Sequence, residues 1–301
     1  MNPVKQKQKK ENKMMRSKVL AVLVILCCAV AAVSMATDEL TAIARDIQKK
    51  NQDAVVWVEG VLNLQFSGMQ GQSQNQEQKV ETLGTIINES GLTVVPNSTL
   101  NPVSMMSSMM KSQGMSVDGQ LSDVKIRLAD GTELAAEVVM KDEDLDLAFL
   151  LPTAEEGKKL PEFTYVNLND TTEVKTLDQI ITLGRMPKLM NRQESVNVCR
   201  ISCVIEKPRK FYCVDVIGGM GVPAFATNSR LVGVIVLKKS VNIDMSSVQN
   251  GGITPVILPA EDVRDIADQA LVAIKKASEE KADKKNGEKP EDKKADVKTD
   301  N

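Results

Sequence analysis

Residues 218–224 read Gly218-Gly219-Met220-Gly221-Val222-Pro223-Ala224, three glycines in four positions around one methionine. Such a run is either a chance cluster or a tight loop whose backbone turns where side chains would interfere. The flanks favour a built loop. Upstream, Val196 to Ile205 and Phe211 to Val216 carry the β-branched and aromatic residues of strands, separated by the turn Glu206 to Lys210. Downstream, the polar turn Asn228-Ser229-Arg230 leads into the apolar run Leu231 to Leu237.

The same texture extends outward. Val55 to Val58 and Val61 to Phe66 read as strands, and Lys79 to Ile87, the turn Asn88 to Gly91, and Leu92 to Val95 read as a hairpin. Further strands are expected at Val124 to Leu128, Glu133 to Met140, Leu145 to Leu151, Gln179 to Leu183 and Ile253 to Leu258. Short strands at this spacing imply an all-β sandwich or barrel. Helical spacing occurs at the two ends. Leu40, Ile43, Ala44 and Ile47 predict a helix over Thr37 to Lys50, and Val263, Ile266, Ala267, Ala270, Leu271 and Ile274 predict one over Ala260 to Lys276. Ser67 to Gln78 is rich in Gln, Gly and Ser and reads as a flexible loop, Asn101 to Gly119 as a methionine-rich insertion, and 277–301 as a charged tail without enough apolar surface to fold.

The 301 residues contain no histidine, which excludes every His-dependent hydrolase and every zinc site with a histidine ligand. Residues 1–36 hold seven of the 38 Lys and Arg before an apolar run, Val19 to Val33, that ends in Ser34-Met35-Ala36. This is the pattern of an export signal cleaved after Ala36, or of a retained anchor over residues 19–36. Either way the expected location is periplasmic or extracellular, with membrane contact through this segment only. The chain beyond Ala36 carries a net charge of about −8, the wrong sign for binding nucleic acid.

Four stretches, in order, resemble the protease domain of HtrA-type, trypsin-like serine proteases. They are Leu83 to Ser98, Ile126 to Glu133 with Asp144 to Leu150, the GGMGVPA loop with Asn228 to Val234, and Gly251 to Pro259. The resemblance implies two six-stranded antiparallel β-barrels with a cleft between them. The expected division is an N-terminal helix and first barrel over 37–165, a second barrel over 166–259, a C-terminal helix over 260–276, and the tail from 277. By the same resemblance the general-base position falls on Ser98, the orienting carboxylate on Asp146 and the nucleophile on Met220. A triad needs a base that takes the nucleophile's proton. A thioether has no such proton and Ser98 is no base near pH 7, so two of the three roles are void. Gly218 remains as part of the loop that would form an oxyanion hole, although Val222 replaces a glycine of the family pattern, and the chain shows no peptide-binding PDZ module after the barrels.

The resemblance also implies a peptide cleft along Val236, Leu237, Lys238 and Lys239, with Thr254 to Ile257, including Val256, lining the adjoining pocket. An extended peptide pairing with that edge needs no catalytic residue. Ser229 lacks a base, and the methionines at 105–115 lack any Cys or His neighbour that would favour a copper(I) site. Cys203 and Cys213 fall opposite each other if the hairpin is centred near residue 208, which suits a disulfide in an oxidising compartment. The expected function is therefore that of an exported pseudoprotease, a peptide-binding or scaffold module without cofactor or metal. The alternatives are a noncanonical serine-type peptidase and a purely structural envelope protein.

Overall fold

A computed structural model describes residues 39–67, 73–111, 114–155, 157–215, 218–239 and 252–287. The expected export segment, with Cys27 and Cys28, and residues 288–301 of the tail lie outside the described residues. Among the described residues no helix is long and apolar enough to cross a membrane.

A helix, α1, covers residues 39–51 and passes through a 3-10 turn, Gln52–Ala54, into the first barrel. That barrel comprises β1 (Val55–Ser67), β2 (Ser73–Ile86), β3 (Thr93–Pro96), β4 (Ser116–Arg127), β5 (Glu133–Asp142) and β6 (Leu147–Pro152). The second comprises β7 (Gln179–Arg185), β8 (Glu194–Ile205), β9 (Phe211–Val214), β10 (Pro223–Ala226), β11 (Leu231–Lys239) and β12 (Ile253–Pro259). Both rings are closed and antiparallel. The first runs β1-β2-β3-β6-β5-β4 and the second β7-β8-β9-β12-β11-β10, so the two barrels share one strand order. Closure removes the unpaired edges that an open sheet would expose.

Alternation sets the register. In β1, Leu62 and Leu64 are buried while Asn63 and Gln65 are exposed, so a slip of one residue would turn the barrel's interior side chains to water. The turn between β2 and β3 is fixed by Asn88, whose side-chain oxygen accepts from the Ser90 and Leu92 amides, with Gly91 at φ +80° completing the reversal. One apolar core runs through both barrels and takes in Ala44 and Ile47 of α1. Polar groups stitch the barrels at α1's end: Gln52 donates to Gly184 O (2.8 Å) and Arg185 Nε donates to Val55 O (2.6 Å). Nearby, Arg192 lies 5.5 Å over the Trp57 ring and pairs with Glu59 and Glu81.

Three expectations need correction. Ser67 to Gln78 is mostly strand, because β2 begins at Ser73 and pairs residue for residue with β1, from Ser67↔Ser73 to Leu62↔Gln78. Pairing with a strand already anchored by Leu62 and Leu64 overrides the weak local preference of glutamine. Only 68–72 of that segment lies outside the described residues. A short helix, α2 (Asn97–Leu100), precedes the methionine-rich insertion, which holds the helix α3 (Val103–Lys111) and the start of β4 at Ser116. On α3, Val103, Met106 and Met110 pack against Leu62, Leu64, Val80 and Val117, and a Cβ on Gly119 would stand 2.6 Å from Val103 Cγ2. The methionines thus cover one end of the first barrel, a use suited to their adaptable shape. Finally, the C-terminal helix α4 spans Ala260–Gly287 and continues past Lys276, because Ala, Lys and Glu have high intrinsic helix propensity.

Replacing Met106 and Met110 together by glutamine is expected to lower stability by about 2 kcal/mol, the value of two half-buried apolar side chains. Urea denaturation measures the loss, and limited proteolysis should then cut first between residues 101 and 116.

Candidate functional site at the junction of the barrels

Asp146 lies in the turn before β6, at φ +59°, a left-handed conformation that aspartate tolerates better than most residues. Its side chain is completely buried. Ser98 stands in the first turn of α2, just after β3 ends at Pro96, and is also buried. The carboxylate accepts the Ser98 amide on Oδ1 (2.7 Å), and on Oδ2 both the Ser98 hydroxyl (2.9 Å) and the Leu237 amide of β11 (2.9 Å). Lys239 brings its ammonium to 3.7 Å from Oδ1 with little exposure, and the Asp146 carbonyl accepts the Asn97 amide at 3.0 Å. A buried carboxylate is tolerated only when hydrogen-bonded and charge-compensated. Here the first barrel supplies the carboxylate and the second supplies a backbone donor and the counter-charge.

The glycine-rich run is a built loop. Gly219 has φ +147° and Gly221 φ +76°. A Cβ on Gly221 would stand 2.2 Å from Leu83 O and 2.7 Å from Pro96 Cδ, and one on Gly218 would stand 2.3 Å from Asn197 Nδ2. The loop thus presses on β2 and on the residue two places before Ser98. Thr85 Oγ1 donates to Gly221 O at 2.7 Å across the junction, while Gly221 N donates to Ile235 O and Ile235 N to Val222 O. Val222 is fully buried. Met220 is half-buried and packs against the common core.

Ser98 and Asp146 therefore meet, and the loop bearing Met220 closes on the same junction. The chemistry this permits is limited. The Ser98 hydroxyl hands its hydrogen bond to Asp146, every strong acceptor position of the carboxylate faces a donor, and the methionine sulfur has no proton to lose. Sequence reasoning placed Lys239 at a strand edge and missed it as the counter-ion of Asp146, because a lysine pair ending a strand carries no local sign of a partner 93 positions earlier.

The expected cleft residues separate. Val236 and Val256 are buried opposite each other in the β11–β12 ladder and line no open surface. Lys238 and Thr254 are paired opposite each other nearer the strand ends and are exposed, Lys238 Nζ lying 5.2 Å from the Phe211 ring, and Leu237 is half-exposed with its amide engaged by Asp146. Ser229 sits in the β10–β11 turn, exposed, at φ +64°. Cys203 and Cys213 are direct partners across β8 and β9, both as thiols, while Cys199 is buried. Among the described residues no group of three or more His, Cys, Asp or Glu is placed to hold a metal ion.

No protein-family model matches this chain, and no curated protein was found similar to it. The likeness to a chymotrypsin-like double barrel rests on the two closed six-stranded barrels themselves.

Asp146→Asn is expected to destabilise the protein by about 3–5 kcal/mol, because an amide cannot accept on both atoms and its NH2 would face an N–H donor. Ser98→Ala, which leaves the Leu237 and Ser98 amides bonded, is expected to cost about 1–2 kcal/mol. Thermal unfolding of the two variants beside the parent checks both the size and the order.

Proposed function

We propose that this chain is an HtrA-like pseudoprotease, an exported double-barrel protein that acts as a binding or scaffold module and has no peptidase activity. The observation that carries the reading is the saturation of Asp146. In a working triad the carboxylate holds an imidazole in one tautomer. Here it holds Ser98, the Leu237 amide and Lys239 instead, in a chain without histidine. The residue type that would orient a base has become a fastener between the barrels.

Binding would use backbone and surface rather than chemistry. An extended peptide would pair with β11 past Ile235, where among the described residues its bonding to the β10 side ends, a strand-addition mode. The Leu237 amide is already occupied, so such a partner would have to read Lys238, Thr254 and the surface beside them. Peptide capture by the parent, lost on Lys238→Glu with Thr254→Lys, supports that surface. Equal capture by both proteins counts against it.

The catalytic side of the reading has its own test. The folded protein is expected to show no casein turnover and no labelling by a serine-reactive fluorophosphonate, and stoichiometric labelling of any serine would overturn the proposal. Restoring the family's residues with Ser98→His and Met220→Ser is expected to give at most a trace of turnover. Base and nucleophile must meet within about 2.6–3.2 Å, and the loop that carries residue 220 is packed by the buried Val222 in place of a glycine.

A further inference from the structure

Cys203 and Cys213 occupy one register position of the β8–β9 hairpin, beside an irregularity in the ladder between Ile201 and Cys203. Residues directly opposite on antiparallel strands stand about 4.5–5.5 Å apart at Cα, inside the roughly 4.4–6.8 Å that a disulfide spans. Exposure distinguishes the two sulfurs: Cys203 is open to solvent and Cys213 is half-buried. Cys199, the third cysteine of the second barrel, is 3% exposed and turned toward Ile180 O. From this geometry we infer that Cys203 and Cys213 form a redox-active dithiol that reacts with small-molecule disulfides, Cys203 attacking first and Cys213 resolving.

The steps balance. The Cys203 thiolate attacks one sulfur of an external disulfide, forming a mixed disulfide and releasing one thiolate. Cys213 then gives up its proton and attacks the Cys203 sulfur, expelling the second thiolate. The protein loses two electrons and two protons, and the external disulfide is reduced to two thiols. The order of attack follows from environment. Burial, and then the neighbouring Cys203 sulfur, push the Cys213 thiol up to about 11, which keeps it protonated while Cys203 meets the reagent. Burial likewise pushes Cys199 to about 11 and removes it from the exchange. The bond would tie β9 to β8 just before the chain enters the Gly218 to Gly221 loop. The inference does not depend on the pseudoprotease reading.

The test is exposure of the full chain to oxidised glutathione under native conditions, followed by alkylation and peptide mass mapping. Expected results are a Cys203–Cys213 cross-linked peptide without retained glutathione, and Cys199 alkylated only after denaturation. Cys213→Ser should accumulate glutathione on Cys203, whereas Cys203→Ser should react at residue 213 at least about tenfold more slowly, as a shielded, protonated thiol does. Equal rates for the two variants, glutathione retained on Cys203 of the parent, or a cross-link through Cys199 would each overturn the proposal.

Discussion

The structure depends on one buried carboxylate. Asp146 is held where two barrels meet, and burying a charge there would be prohibitive unless each oxygen found donors. The donors come from both sides: Ser98 from α2, and Leu237 and Lys239 from β11. This requirement fixes the orientation of α2, the approach of β11 to the first barrel, and the place where the Gly218 to Gly221 loop must fit. The fit leaves no room for a side chain at 221.

The same arrangement occupies both oxygens of the Asp146 carboxylate. A catalytic carboxylate must have an acceptor position to spare for its base, and the base must reach a nucleophile that has a proton to give. Asp146 spends its oxygens on two backbone amides, a hydroxyl and a nearby ammonium. Lys239 supplies the positive charge beside the carboxylate, but from the second barrel and as a counter-ion. Met220 packs against the common core. The polar groups of this junction thus serve to hold the two barrels together.

Much of this was legible in the sequence because the signals were local. Alternation fixed most strands, Asn88 and Gly91 marked the β2–β3 turn, and the spacing about residue 208 placed Cys203 opposite Cys213. The order of four short motifs implied the double barrel. The failures were non-local. Ser73 to Gln78 forms strand only because β1 offers a partner, and the methionines of α3 form a helix that covers Leu62 and Leu64 across the end of the barrel. Val236 and Val256 looked like cleft residues until the ladder turned them inward. Lys239 acquires its meaning from Asp146, which no pattern along the chain connects to it.

The central claim, that Asp146 fastens the barrels by accepting the Ser98 and Leu237 amides, is tested most directly by native-state amide hydrogen exchange resolved to those two residues. Hydrogen-bonded amides buried at a stable junction exchange only through large-scale opening. The account predicts that both are among the slowest amides in the protein, and that Asp146→Asn speeds them far more than amides in the centre of either barrel. Fast exchange at Leu237 and Ser98 in the parent protein, or a uniform response to the substitution, would contradict it.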